Sequence, residues 1–379
     1  MTTDKSQQTV AGLLEIGERG VGHLRDPKSN FRVRAGDTVV PARLIEDAGL
    51  EEGLLIEGTT GDVPGADRRA GRSSQLATIL RINGVESSVW KPAVPFSELV
   101  SIDPIEPLRL SSGPEDVAMR VVELVSPIGQ GQRGLIVAPP KSGKTTLIEQ
   151  LATGISANQP EVDLLVVLID ERPEEVTHIK RSIRGEVVAS SSDEETDDQL
   201  RLARLMLERA KRLVESGRNV VLLLDSITRF GRASNRGQAG RGRTMSGGID
   251  TRALEFPRKF FGAARKAEGG GSLTILATAI VGSGSQMDEV IFQEFKGTGN
   301  MELVLDRRIA ERRVFPAIDV AQSGTRKEEK LFSEWELPRV RSLRRALSSL
   351  KPTEATEALL KAVRDSASNR ELLERIPVD

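Results

Sequence analysis

Two patterns of apolar residues divide the chain. From Val10 to about residue 88, short β-like runs alternate with turn signals, as in GLLEI, HLR, NFRVRAGDTVVPARLI, GLLIEG and LATILRING. The sequences RGVG at 19–22 and RAGD at 34–37 fit tight turns between strands. This pattern predicts a small all-β barrel at the amino-terminal end.

Beyond about Glu115 the apolar runs become longer and more continuous. They are GLIVA (134–138), LLVVLI (164–169), VVLLL (220–224), SLTILATAI (272–280) and MELVL (301–305). Helical patterns lie between them, the clearest at 194–215, where Gly217 provides a stop. Apolar strands that alternate with amphipathic helices predict a mostly parallel sheet with helices on both faces, an α/β fold. Residues 338–376 are also predicted to be helical.

These patterns predict four segments. Residues 1–8 are polar and form a disordered tail, and residues 9–92 form the barrel, with a long Gly-rich loop at 58–75. Residues 93–115 are rich in proline and are interpreted as a linker. Residues 116–379 form the α/β domain with its C-terminal helices.

Composition limits the kinds of chemistry that are available. The 54 basic and 55 acidic residues give a net charge of −1, so any polyanion must meet a local basic patch. There is no cysteine, and His23 and His178 are the only histidines, which argues against thiolate chemistry and against histidine-based metal clusters. The N-terminus lacks the apolar core of a signal peptide, and no apolar run could span a bilayer. We therefore predict a soluble cytoplasmic protein.

A phosphate-binding loop follows the first long apolar run. Residues 138–145, APPKSGKT, match the phosphate-loop pattern except that Ala138 replaces its first glycine. Such a loop directs backbone N–H groups at phosphate, Lys144 reaches the β- and γ-phosphates, and the Thr145 hydroxyl binds Mg²⁺. A chance GKT is common, but its position between an apolar strand and a helix favours an ATP and Mg²⁺ site.

Hydrolysis needs further groups, and the strand ends offer candidates. Asp225 closes VVLLLD and is placed to hold magnesium. Glu171 closes LLVVLIDE and could activate water, although a solvated pair with Arg172 and its acidic neighbours is an equal alternative. A cation must also stabilise the developing charge. Spacing alone does not choose among the candidates Arg307, Arg308, Arg312, Arg313 and Arg326.

A wider set of motifs resembles one family. The stretches SPIGQGQRGLIVAPPKSGKTT, VVLIDERPEEV, LLLDSITRF, KFFGAAR, MDEVIFQEFKGTGNMELVLDR and RRVFPAIDVAQSGTRKEE closely resemble the family of bacterial transcription termination factor Rho, from about Glu123 to Leu331. The resemblance implies a RecA-type phosphate-loop ATPase behind an OB-fold-like (cold-shock-like) RNA-binding barrel. It also implies a homohexameric ring that hydrolyses ATP, moves along single-stranded RNA as a helicase and acts on the RNA polymerase elongation complex.

The resemblance also assigns residues. Glu171 corresponds to the catalytic glutamate, Asp225 to the acidic magnesium-site residue and Arg326 to an arginine finger that acts in trans. Arg313 lines the same interface, and Phe315 stacks on adenine, although a core phenylalanine would otherwise be the simpler interpretation. The implied nucleotide-binding set is Gly129, Gln130, Gly131, Gln132, Arg133, Gly134, Lys141, Ser142, Gly143, Lys144, Thr145, Thr146, Arg172 and Phe315.

Two loops are implied to contact RNA inside the ring. One contains Arg243, Thr244, Met245, Ser246 and Gly247, at the end of an arginine-rich stretch from 226 to 246 that has no acidic residue. The other, 282–286, ends in Gln286 where the family usually has a lysine. Lys296, in EFKGTG, is present as the family pattern expects.

The amino-terminal region departs from the family pattern. Residues 20–25, GVGHLR, lack the aromatic residues that stack on bases, and the whole chain has no tyrosine. Stacking contributes roughly 1–3 kcal/mol per base, so weaker RNA binding by the barrel is expected. Two alternatives to an RNA-dependent ATPase stay open from the sequence: a related ring ATPase with a different substrate, and a Rho-like regulator that joins or blocks rings.

Overall fold

A computed structural model of the chain describes residues 8–61, 74–238 and 246–378. The predicted tail at 1–8 and loop at 58–75 therefore lie largely outside the described residues. Within the described ranges, no helix is long and apolar enough to cross a lipid bilayer.

The chain divides into two compact units. One contains Met1–Leu99 and Arg201–Ser216, and the other contains Val100–Leu200 and Gly217–Asp379. This division cuts the predicted linker and assigns part of a predicted helix to the first unit. The predicted segment boundaries stay predictions.

The first unit is built on an antiparallel sheet. Its strands are β1 (Thr9–Ile16), β2 (Gly22–Arg25), β3 (Thr38–Val40), β4 (Leu55–Thr60), β5 (Leu76–Ile82) and β6 (Val85–Glu86), in the order β3-β2-β1-β4-β5-β6. A bridge between Val39 and Gln75 joins β3 to the start of β5, so the sheet closes on itself. The closed sheet surrounds a core that includes Leu14, Ile56 and Leu76. The predicted small barrel is confirmed.

One stretch of the barrel region is helical rather than extended. The prediction of a continuous β-like run through PARLI is wrong from residue 42, because Ala42–Ala48 forms helix α1. Pro41 precedes the helix in an extended conformation, and Gly49 ends it with a φ of 59°. Proline before the first turn and a left-handed glycine after the last are common helix boundaries.

The second unit contains a large sheet with a parallel centre. Its strands are β7 (Ser101–Ile102), β8 (Arg133–Ala138), β9 (Asp163–Glu171), β10 (Glu186–Ser191), β11 (Asn219–Asp225), β12 (Arg265–Ala267), β13 (Ser272–Ile280), β14 (Met301–Val304) and β15 (Gly324–Thr325). The main order is β10-β9-β11-β13-β8-β14-β15, and all neighbours from β10 to β14 are parallel. The five predicted apolar runs therefore form β8, β9, β11, β13 and β14.

Helices separate these strands along the chain. They are α2 (Val117–Val125), α3 (Lys144–Asn158), α4 (Pro173–Ser182), α5 (Thr196–Glu215), α6 (Ile227–Gln238), α7 (Glu255–Gly262), α8 (Gln286–Lys296), α9 (Arg307–Glu311), α10 (Glu336–Ser348), α11 (Pro352–Arg364) and α12 (Asn369–Glu374). Consecutive residues of β11, such as Leu222 and Leu223, are both almost fully buried, so both faces of the sheet are covered. The predicted α/β fold is confirmed.

Candidate functional site

The phosphate loop lies at the carboxyl end of β8, in the centre of the large sheet. Lys141 and Gly143 have φ values of 64° and 92°, and these left-handed residues turn the loop tightly before α3 begins at Lys144. The buried Ser142 donates its hydroxyl hydrogen to the Pro139 carbonyl at 2.7 Å. A tight loop that leads into the amino end of a helix is the arrangement by which phosphate is bound.

Three charged side chains from different elements converge beside this loop. Lys144 Nζ lies 2.5 and 2.6 Å from the two carboxylate oxygens of Asp225, at the end of β11. It also lies 3.7 Å from Glu171 Oε2, at the end of β9. Thr278 on β13 donates to Asp225 Oδ1 at 2.7 Å, which fixes the carboxylate. Carboxyl ends of neighbouring parallel strands thus bring the predicted residues together.

Glu171 is buried, with 1% of its surface exposed. Arg229 on α6 pairs with Glu171 Oε1 at 2.8 Å, whereas Oε2 has no hydrogen-bond partner among the described residues. Burial raises the pKa of the Glu171 carboxyl, Lys144 opposes this rise and Asp225 adds to it. The alternative of a solvated pair is wrong for Glu171. Arg172 itself is exposed and approaches Glu175 at 4.0 Å.

A cavity of about 380 Å³ opens beside the loop. Its lining residues are Glu115–Ala118, Ser142, Gly143, Thr146, Leu147, Gln150, Leu305 and Phe315–Ala317. Phe315 is 45% exposed, and its ring lies 3.7 Å from the point where a Cβ on Gly143 would stand. Phe315 is therefore available to a planar ligand, and the interpretation as a core phenylalanine is wrong.

Arg313 and the other candidate cations lie in three different settings. Arg312 and Arg313 are exposed, just after α9, and Arg313 has a φ of 61°. Arg307 and Arg308 each form an ion pair at 2.8 Å, with Glu311 and Asp306 respectively. Arg326 is also exposed, and it follows β15.

Residues 129–134 lie at the opposite end of β8 from the phosphate loop. Asn300 accepts from Gln132 Nε2 at 2.7 Å and from the Arg133 backbone at 2.9 Å, and its carbonyl accepts from the Arg326 backbone at 2.8 Å. The six residues of β8 span roughly 20 Å. The structure therefore groups 129–134 with Arg326, away from the phosphate loop of the same chain. Their predicted contact with nucleotide stays a prediction.

The two predicted RNA loops meet where the structure describes them. Arg243, Thr244 and Met245 lie outside the described residues. Ser246–Gly248 forms a short turn in which Gly247 has a φ of 74°, and a Cβ on Gly247 would lie 3.1 Å from the Gln286 carbonyl. Gln286 is exposed at the start of α8. Lys296 ends the same helix, about 15 Å from Gln286 along the axis, with its Nζ 5.6 Å from the Phe292 ring centre.

Helix α6 contacts both groups of residues. Arg229 near its start pairs with Glu171, and Arg232 pairs in two hydrogen bonds with Asp288 on α8. Asn235 donates to the Gly248 carbonyl at 3.1 Å. Sequence reasoning missed Arg229 and Thr278 as site residues. The spacing of Arg229 four residues after Asp225 is the signal that was available.

The candidate RNA-binding segment of the barrel, residues 20–25, contains one arginine, and its side chain is already paired with acidic residues. Arg25 is buried and pairs with Glu15 at 2.5 Å and with Asp37. Burial lowers the pKa of His23, and Arg25 lowers it further. Phe31 is 2% exposed and Phe96 is 5% exposed, so neither ring is available to stack on a base.

Comparison with known proteins gives consistent matches. Residues 118–325 match the ATP synthase alpha/beta family, nucleotide-binding domain. The chain is 49% identical to transcription termination factor Rho of Micrococcus luteus, over 98% of this chain and 55% of that protein. It is 47% identical to the factor of the same name from Aquifex aeolicus, over 96% of this chain and 84% of that protein. The chain thus spans about half the length of the first relative and most of the second.

A solved ATPase from the type III secretion system of pathogenic bacteria shares the fold. Its TM-score is 0.63 at 22% identity, and the match covers 76% of this chain and 92% of that one. At this identity the likeness supports the fold alone.

The burial of Glu171 allows a prediction of how the stability of the folded chain depends on pH. Because its pKa is raised, the folded chain keeps the Glu171 proton to a higher pH than the unfolded chain, so stability falls as pH rises above the ordinary carboxyl range. Glu171→Gln cannot lose this proton. We expect the difference in thermal midpoint, variant minus parent, to grow as the pH is raised from about 5 to about 8.

Thermal unfolding followed by circular dichroism checks this expectation. Glu174→Gln, at an exposed position at the start of α4, supplies the baseline for an ordinary surface carboxylate. A difference between Glu171→Gln and parent that is constant with pH would contradict the assignment of a raised pKa.

Proposed function

Because the chain belongs to the family of transcription termination factor Rho and carries a nucleotide-binding domain of the ATP synthase alpha/beta family, we propose that it is an RNA-dependent ATPase that releases transcripts. In this proposal a homohexameric ring binds nascent single-stranded RNA in the cytoplasm. It moves along the RNA and unwinds the RNA–DNA hybrid at the RNA polymerase elongation complex. The observation that carries the proposal is the meeting of Lys144, Asp225 and Glu171 beside the phosphate loop.

The site fits a bound nucleotide with magnesium. Lys144 is held by carboxylates and would exchange Asp225 for phosphate oxygens, which frees Asp225. Among the described residues no cluster of three acidic or histidine side chains could hold a metal by itself. Mg²⁺ usually takes only one or two protein oxygens besides phosphate and water, and Thr145 and Asp225 would supply them. When bound, the ion neutralises phosphate charge.

Glu171 is suited to act on the attacking water. Its Oε2 has no hydrogen-bond partner among the described residues, while Arg229 holds Oε1 and so fixes the orientation of the carboxylate. A raised pKa makes the carboxylate a better proton acceptor than an exposed glutamate. Glu171 therefore orients the water and accepts its proton during hydrolysis.

Arg326 completes the site of a neighbouring subunit. It is exposed, and it lies with Arg133 at the opposite end of β8 from the Lys144 of its own chain. Burial lowers the pKa of Arg133, and the charges of Arg265 and Arg326 lower it further, so these cations form a positive cluster. A nucleotide γ-phosphate from the adjacent subunit would relieve this repulsion.

The complete set of catalytic groups disfavours the alternatives. A regulator of rings without its own hydrolysis would not need the buried Glu171 or the paired Lys144. A ring ATPase with a different substrate shares these groups, but the similarity to Rho proteins covers almost the whole chain. ATP hydrolysis measured with and without RNA homopolymers separates these cases.

Hydrolysis of ATP should depend on RNA and on Glu171. We expect RNA to stimulate hydrolysis, and Glu171→Gln to bind ATP normally while its turnover falls by at least about 100-fold, the usual cost of losing a general base. Glu174→Gln, an exposed glutamate at the start of α4, should hydrolyse ATP like the parent chain. Unchanged turnover in Glu171→Gln would remove this residue from catalysis.

A mixing experiment tests whether Arg326 acts in trans. Arg326→Ala and Glu171→Gln should each be inactive alone. Rings assembled from a mixture contain some interfaces where an intact Glu171 meets an intact Arg326, so part of the activity should return. If Arg326 acts within its own chain, the mixture will be as inactive as its components.

The substitution Gln286→Lys tests whether the start of α8 faces the bound RNA. An added cation beside Gly247 should tighten RNA binding and steepen the slope of log affinity against log salt by about 0.7 per contact. Gln293→Lys adds the same charge at an exposed position two turns further along α8 and serves as the control. Equal effects of the two substitutions would show that Gln286 does not face RNA.

A further inference from the structure

The buried guanidinium of Arg120 connects the C-terminal helices to the cavity that is lined by Phe315 and lies beside the phosphate loop. Arg120 on α2 is 2% exposed. It donates to the Ser366 carbonyl at 2.8 Å, to Ser366 Oγ at 2.7 Å, to Asn369 Oδ1 at 3.3 Å and to the Pro114 carbonyl at 3.1 Å. All four acceptors are uncharged. A buried cation depends on such bonds, so Arg120 holds these segments together.

Pro114 stands directly before the four cavity-lining residues 115–118. On the same side, Asn369 at the start of α12 donates to the Arg120 carbonyl at 3.0 Å and to Glu123 Oε2 at 3.1 Å. The first wall of the cavity is therefore fixed to the segment between α11 and α12.

The opposite wall is fixed to the same layer of helices. It consists of Phe315–Ala317, and the next residue, Ile318, accepts at its carbonyl a hydrogen bond of 2.8 Å from Thr356 Oγ1 on α11. Side chains of α11 and α12, such as Leu359 and Leu372, belong to the core that also contains α2. Both walls thus depend on how the C-terminal helices are packed.

We infer that Arg120 is a positioning residue for the base of ATP, and that docking of α12 sets how tightly the cavity holds that base. The inference rests on the proposed function, since it takes this cavity as the base site. The phosphate loop has further attachments that do not involve α12: Ser142 donates to the Pro139 carbonyl, and Lys144 pairs with Asp225 at the end of β11. Undocking of α12 therefore weakens binding of the base while binding of the phosphates is kept.

Trp335 provides a direct reporter of α12. Its ring lies 4.3 Å from the Arg339 guanidinium and 5.3 Å from that of Arg370, which is part of α12. The chain has two tryptophans, so Trp90→Phe leaves Trp335 as the single emitter. Because coupling between two sites is reciprocal, ATP should in turn favour the docked state of α12.

The test compares binding of Mg-ATP and of inorganic tripolyphosphate by calorimetry in full-length chains. Ser366→Ala and Asn369→Ala each remove an acceptor from Arg120, and we expect the Kd for ATP to rise roughly threefold to tenfold, the usual effect of one lost hydrogen bond. The Kd for tripolyphosphate should stay within twofold of the parent value. Arg364→Ala, at an exposed position at the end of α11, is the control.

Emission of Trp335 is recorded in the same variants on a Trp90→Phe background. We expect emission at longer wavelength without nucleotide and a return toward the parent spectrum on addition of ATP. An unchanged Kd for ATP with a shifted Trp335 spectrum would overturn the inference, as would equal loss of ATP and tripolyphosphate binding. Failure of RNA to stimulate hydrolysis would overturn the proposed function instead, because these binding measurements do not involve RNA.

Discussion

The site depends on one partly exposed ammonium group, that of Lys144, which lies between two buried carboxylates. Lys144 is bonded to Asp225 at 2.5 and 2.6 Å and lies 3.7 Å from Glu171, and both acids are almost completely buried. Charges in such a place must be paired and hydrogen-bonded, since an unpaired buried ion is very costly. This requirement fixes the start of α3, the loop before it and the ends of two strands relative to one another.

The order of strands makes this pairing possible. Strand β13 lies between β8 and β11, and its Thr278 supports Asp225 from the gap between them. Strand β9 follows on the far side of β11 and brings Glu171 to the same edge. Because all four strands are parallel, their carboxyl ends open on one side, where a ligand can meet several of them.

Much of the fold could be predicted from the sequence, because continuous apolar runs and a phosphate loop are local signals. The role of Glu171 could not be chosen from spacing, since an exposed and a buried glutamate look alike in a sequence; burial decides between them. Arg229 and Thr278 were missed because their importance comes from contacts between distant segments. Helix α1 was missed because Val39 and Val40 suggest an extended chain, whereas Pro41 and Gly49 define the helix through backbone geometry.

Helix α6 connects two distant parts of the second unit. It is about 18 Å long, and its Phe230 packs edge-to-face against Phe256 and Phe260, at 5.2 and 5.3 Å between ring centres. These ring contacts hold α6 against α7. Through Arg229 at one end and Asn235 towards the other, the same helix connects the buried Glu171 to the turn at Gly248, so the two places share one structural support.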